Sequence, residues 1–176
     1  PVISAIDKSI NENTTLVETV TSTDGDAVDN KAFSISGSDD DAKFSIDGSS
    51  GILSFIIAPD YEFPTDGNGD NIYEVTVKVT DGAGHSDSKT INVTVNNIND
   101  NSPVALDDNY SIVEESSVII IPLAGDSDID ADFLSVSSIN GTTLTGVAQT
   151  ISVTNGSVNI SASGAITFIP SLNYVG

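Results

Sequence analysis

Carboxylates and carboxamides recur along this chain in groups that suit a hard cation. They are Asn11-Glu12-Asn13, Asp24-Gly25-Asp26, Asp60-Tyr61-Glu62, Asp81-Gly82, the segment Asn96-Asn97-Ile98-Asn99-Asp100-Asn101-Ser102, and aspartates at 126, 128, 130 and 132. Calcium takes about six to eight oxygens at about 2.3–2.6 Å, and it accepts carboxylate, amide, backbone carbonyl and water oxygens together. Six or more carboxylates converging on one junction repel one another unless a divalent ion compensates. A single Asp-x-Asp is ordinarily a solvated loop. An ordered series of such groups is a poor surface unless something neutralises it.

The order comes from a repeat. A shift of 102 residues places Pro1, Val2, Ser9, Ile10, Glu12, Asp24 and Asp26 on Pro103, Val104, Ser111, Ile112, Glu114, Asp126 and Asp128 without a gap. Three of these seven matches are carboxylates, the residue type least needed for a core. With 176 residues, the expected organisation is a first domain over 1–96, a calcium-binding linker over 97–103 and a second domain over 104–176 that lacks its final strands. Such a domain would leave an edge unpaired, open to fraying or strand exchange.

The elements that must hold these groups read as strands. Met, Trp and Cys are absent, helix-period patterns are scarce, and short Val/Ile/Thr runs alternate in hydrophobicity every eight to twelve residues. Tyr73, Val75, Val77 and Val79 should face one way and Glu74, Thr76, Lys78 and Thr80 the other. Seven strands are predicted in the first copy: 2–10, 15–22, 32–36, 42–46, 51–56, 72–80 and 86–96. Six are predicted in the second: 109–113, 118–123, 134–139, 149–154, 157–161 and 165–169. The fold class is all-β, with two β-sandwiches in tandem. If the first and last strands of the first sandwich run end to end, Glu12, Asp60 and Glu62 share the pole from which the linker leaves. Asp126 and Asp128 then face back from the second copy, and two domains share one acidic cage.

Composition narrows the partners. The net charge is -21, from 26 acids against five lysines and no arginine, which excludes nucleic acid and anionic membrane as partners and favours cations. Without cysteine no disulfide can brace the domains, and metal is the remaining staple for a small β module. The longest apolar run, 118–124, is too short to span or insert directly into a bilayer.

These motifs resemble the calcium motifs of cadherin repeats, over residues 1–103, in the order Asn11-Glu12-Asn13, Asp24-Gly25-Asp26, Asp60-Tyr61-Glu62, Asp81-Gly82 and Asn99-Asp100-Asn101-Ser102-Pro103. Residues 104–176 are similar to the cadherin-like or VCBS-type repeats of large bacterial RTX adhesins, through Asp107-Asp108-Asn109-Tyr110, the Asp126–Asp132 run, Phe168-Ile169-Pro170 and Asn173-Tyr174-Val175-Gly176. The resemblance implies Greek-key, cadherin/immunoglobulin-like sandwiches. It also implies Ca2+ held at the junction by Glu12, Asp60, Glu62, Asn99, Asp100, Asn101, Asp126 and Asp128. Asp24, Asp26, Asn30 and Asp81 would serve a different site, facing a preceding repeat. The second copy has no Asp-x-Glu motif where the first has Asp60 and Glu62. The implied role is a calcium-stiffened, non-enzymatic module of a secreted or surface-attached bacterial adhesin, located extracellularly or on the cell surface and acting in biofilm. Its partners would be neighbouring repeats of the same chain, with a glycan or cell-surface protein as target. The alternative is a polysaccharide-binding or homophilic module, although only four tyrosines are present for a sugar platform.

Other groups are weaker. Asp66-Gly67-Asn68-Gly69-Asp70 resembles the opening of an EF-hand loop, but Asn71 replaces the glycine at position six and Val77 the glutamate at twelve, so a polar turn is favoured over an isolated calcium site. Asp39-Asp40-Asp41 reads as an exposed turn. His85, Ser86 and Asp87 are neighbours that point apart, which is no catalytic triad. Asp60 and Glu62 lack the aromatic platform expected of a glycosidase.

Overall fold

The computed structural model describes residues 1–25 and 30–174, which fall into two compact units, residues 1–99 and 100–176. Both are all-β, and the described residues contain a single 3-10 turn, Asp41–Lys43.

In the first unit the strands are β1 (Val2–Ser4), β2 (Lys8–Asn11), β3 (Leu16–Thr19), β4 (Thr21–Thr23), β5 (Ala32–Ile35), β6 (Phe44–Ile46), β7 (Ile52–Phe55), β8 (Ile72–Thr80) and β9 (Ser86–Asn96). One sheet has the order β2-β9-β8-β5, a second β3-β7-β6, and β1 pairs with β4. The alternation predicted for β8 and β9 holds: Tyr73, Val75, Val77, Val79, Ile91, Val93 and Val95 are buried and pack with Phe44, Leu53 and Phe55. The antiparallel register sets Tyr73 opposite Val93 and Val75 opposite Ile91, so inward side chains meet as pairs. The Tyr73 ring meets Phe55 edge-on at 5.0 Å, and its hydroxyl accepts the Thr65 amide at 3.0 Å, so its one polar atom is satisfied.

Two local expectations change. The single strand expected over 2–10 is broken, because the chain leaves β4 and joins β9, to which β2 is parallel. Asp7 pins the crossing by accepting the Asn92 amide at 2.9 Å, and the Lys89 ammonium bonds the Ala5 carbonyl. The Asp39–Asp41 segment is not simply an exposed turn. Asp40 is buried and accepts the amides of Gly67 and Glu74, both at 2.9 Å, tying two loops to β8.

The second unit contains β10 (Val118–Ile120), β11 (Ser138–Ile139), β12 (Thr142–Thr143), β13 (Gln149–Val153), β14 (Gly156–Ile160) and β15 (Ile166–Pro170). Four of them form an antiparallel sheet of order β10-β15-β14-β13, and β11 and β12 make a separate hairpin. Its buried cluster is Ile151, Val158, Ile160 and Ile166, a much smaller core. The strand expected over 109–113 does not form. In the repeat this segment corresponds to β2, whose ladder partner is β9, and no strand among the described residues of this unit pairs with it. Tyr110 instead accepts the Ile121 amide through its hydroxyl at 2.7 Å. The strand expected over 134–139 shrinks to its last two residues.

Candidate metal centres

Glu12 follows directly on β2 and is 2% exposed. Its own amide bonds the Asn96 carbonyl at 3.0 Å, which fixes it beside the end of β9. Its carboxylate accepts two amides, Tyr61 on Oε2 and Ile98 on Oε1, both at 2.8 Å. These charge-assisted bonds satisfy lone pairs without cancelling the charge. Asp60 and Glu62, on the loop after β7, complete a group in which one oxygen from each of the three acids lies within 4.8 Å of the others. Two like charges at such a distance repel by roughly 3–4 kcal/mol at an effective dielectric of ~20. An ion about 2.3–2.6 Å from each oxygen fits inside that spacing. The all-oxygen donor set, with no thiol or imidazole, suits calcium rather than zinc.

The second unit carries a group of its own. Asp128, Asp130 and Asp132 also bring one oxygen each within 4.8 Å of the others. Asp130 is buried, and its Oδ2 accepts the amides of Asp100 at 3.2 Å and Asn101 at 2.8 Å, while Oδ1 accepts the Asn101 carboxamide at 2.9 Å. Asp128 Oδ1 accepts the Asp130 amide at 2.9 Å. The run curls because Ala131 adopts a φ of 61°, a left-handed conformation that costs a non-glycine residue about 1 kcal/mol or more.

The sequence-derived residues therefore divide. Glu12, Asp60 and Glu62 converge. Asp100 and Asn101 are drawn to Asp130, a residue outside the expected ligand set. Asn99 ends the first unit. Asp128 belongs to the second group, whereas Asp126 Oδ1 accepts the Leu106 amide at 2.8 Å. Asp130 and Asp132 lie outside the expected set because, of the four aspartates in this run, the repeat aligns only Asp126 and Asp128 with carboxylates in the first copy. The extension of the acidic series to 132 was the available signal.

Neither Asp24 nor Asp81 falls in such a group among the described residues. Asp24 Oδ2 lies 3.1 Å from the Pro1 nitrogen. Asn30 is exposed, and Asp26 lies outside the described residues. Asp81 is buried in the turn after β8, where it accepts the amides of Ala83 at 2.9 Å and His85 at 2.8 Å and faces the His85 ring at 3.3 Å. Burial pushes its pKa up, but the His85 amide, the His85 charge and the Ala83 amide outweigh that and hold it below 3.8. His85 thus meets Asp81 and not its sequence neighbours, while Asp87 Oδ2 accepts the Ile3 amide at 2.9 Å.

Residues 7–96 match the family model described as "Cadherin domain", more than half of the chain. The chain belongs to the cadherin family. Residues 99–176 match a second model, "Bacterial Ig domain". Among curated proteins, human Protocadherin Fat 1 is 37% identical over 103 residues, covering 54% of this chain, and human Protocadherin Fat 4 is 37% identical over 99 residues, also covering 54%. The chain spans 2% of the length of each. Among solved structures, human Protocadherin-24 EC1-2 aligns with a TM-score of 0.64 at 22% identity, over 99% of this chain and 79% of that one, a likeness of fold. Cadherin domains are extracellular, non-enzymatic adhesion modules that generally bind Ca2+, and Glu12, Asp60 and Glu62 fit such an ion. No helix among the described residues is long and apolar enough to cross a membrane.

Proposed function

We propose that this chain is a calcium-stiffened stretch of a secreted or surface-attached bacterial adhesin of the RTX type, in which cadherin and Ig-like modules act as a stalk that carries an adhesive end toward a glycan or cell-surface protein. The bacterial Ig match supports the bacterial setting. The observation that carries the calcium role is Glu12, a carboxylate 2% exposed that is grouped with two further acids. An uncompensated buried charge is costly, and a divalent ion removes both that cost and the repulsion.

In this reading Glu12, Asp60 and Glu62 bind ions together with Asn99, Asp100, Asn101, Asp126 and Asp128, and filling these positions restrains the joint between modules. Asp130 and Asp132 join that ligand set. Asp24, Asp26, Asn30 and Asp81 are assigned in this reading to a different site. Extracellular calcium modules bind in the range of about 0.1–1 mM, so the stalk is stiff outside a cell and loose where calcium is scarce. Small-angle scattering tests this directly. Calcium should raise the maximum dimension and reduce flexibility relative to EGTA, and identical profiles would refute the mechanism. The second reading, homophilic binding, draws on the likeness to protocadherin repeats. It requires a calcium-dependent dimer in analytical ultracentrifugation, whereas a spacer stays monomeric.

A further inference from the structure

Outside the acidic groups already described, the loop between Thr65 and β8 leaves two oxygens unmet. Asp66 is 8% exposed; its Oδ2 accepts the Asp70 amide at 2.9 Å, which turns the carboxylate into the loop, but its Oδ1 is buried with no hydrogen-bond partner. Five residues on, the Asn71 carboxamide donates to the Tyr61 carbonyl at 2.9 Å, while its Oδ1 is likewise buried without a donor. Buried polar atoms are nearly always paired, and a desolvated carboxylate oxygen is among the costliest to leave alone.

The surroundings decide what meets them. Asp40 Oδ1 accepts the Gly67 amide at 2.9 Å, and a Cβ on Gly67 would lie 3.8 Å from the Asp39 Cβ, so two more carboxylates flank the loop that Asp70 closes. No lysine or histidine among the described residues pairs with Asp39, Asp40, Asp66 or Asp70. Water would donate hydrogen bonds here but leave the charge uncompensated. A cation does both. One carboxylate oxygen and one amide oxygen make an all-oxygen pair, which suits a hard cation such as calcium rather than zinc.

We propose that the Asp66–Asn71 loop binds a calcium ion of its own, separate from the Glu12 group, through Asp66 Oδ1 and Asn71 Oδ1. The ion would lock the loop that seats Tyr73 through the Thr65 amide.

The test uses the full chain with calcium alone. In 15N–1H spectra, calcium should shift the amides of Gly67 to Asn71, while those of Tyr61 and Ile98 report on Glu12 separately. Native mass spectrometry should show Asp66→Asn losing one bound ion per chain. Should Asp66→Asn fail to fold, Asn71→Gly keeps the left-handed backbone and removes only the side chain; its loop amides should then need more calcium to saturate. Loop amides that do not respond to calcium in the native chain would overturn the proposal and assign the two oxygens to water or a proton. An unchanged ion count in a folded Asp66→Asn would do the same.

Discussion

Glu12 and Glu114 occupy the same position in the 102-residue repeat, yet Glu12 is 2% exposed and Glu114 is open to solvent. The difference lies in what surrounds them. In the first unit the end of β9 supplies the Asn96 carbonyl and the following segment the Ile98 amide, so Glu12 is enclosed and bonded on both oxygens. In the second unit the segment corresponding to β2 has no ladder partner among the described residues, and nothing encloses Glu114. The cores follow the same division. Val75, Val77, Val79, Ile91 and Val93 are fully buried on the β8–β9 hairpin, against four buried apolar residues in the second unit. A repeated carboxylate is buried only where the strands that carry it are closed by others.

The contrast can be broken in several ways. Leu53→Ala, at a side chain with 0% exposure, should cost the first unit about 3–5 kcal/mol, while Ile160→Ala should cost the second about 2. Followed by calorimetry, each should lower one transition, at about 4–8 °C per kcal/mol for domains of this size. If either substitution moves both transitions equally, the cores do not melt independently.

Calcium removal comes next. At about 100 times the dissociation constant each site adds roughly 2.7 kcal/mol, so EGTA should lower the first unit's midpoint by about 10 °C or more. An unchanged melting curve would remove the structural ion from this unit.

Glu12→Gln should cost about 1–2 kcal/mol even in EGTA, since one oxygen that accepts an amide becomes an NH2 group facing a donor. Glu114→Gln should fall within about 0.5 kcal/mol. Equal effects in urea titrations would contradict the difference in enclosure.

Acid gives the smallest effect. Burial pushes Asp41 up, but the Ser38 hydroxyl and the amides of Ser38, Thr76 and Gly37 outweigh it and hold its pKa below 3.8; the Ser50 amide, the Ser50 hydroxyl and the Ser49 amide lower Asp47 similarly. A carboxylate whose folded pKa is depressed stabilises above its unfolded value and loses that contribution as pH falls through the folded one. In EGTA the first unit should therefore weaken from about pH 4 downward, and Asp41→Asn should flatten that slope. A slope unaffected by the substitution would assign the acid sensitivity to other groups.

Local pattern alone determined much of this molecule. Alternation in 72–80 and 86–96 placed every inward side chain of the main hairpin, because a strand's period of two leaves no choice once one face is apolar. The acidic motifs named Glu12, Asp60 and Glu62 before any contact was known. What the pattern could not convey was which oxygens converge. Asp130 and Asp132 join Asp128 because Ala131 turns left-handed, and Asp126 goes to the Leu106 amide because Val104 bridges Ser127. Asp40 is buried because two loops distant in sequence fold over it. Hydrophobic period is a property of neighbours along the chain. The pairing of a carboxylate with amides dozens of residues away depends on closure of the sheets, which only the tertiary structure supplies.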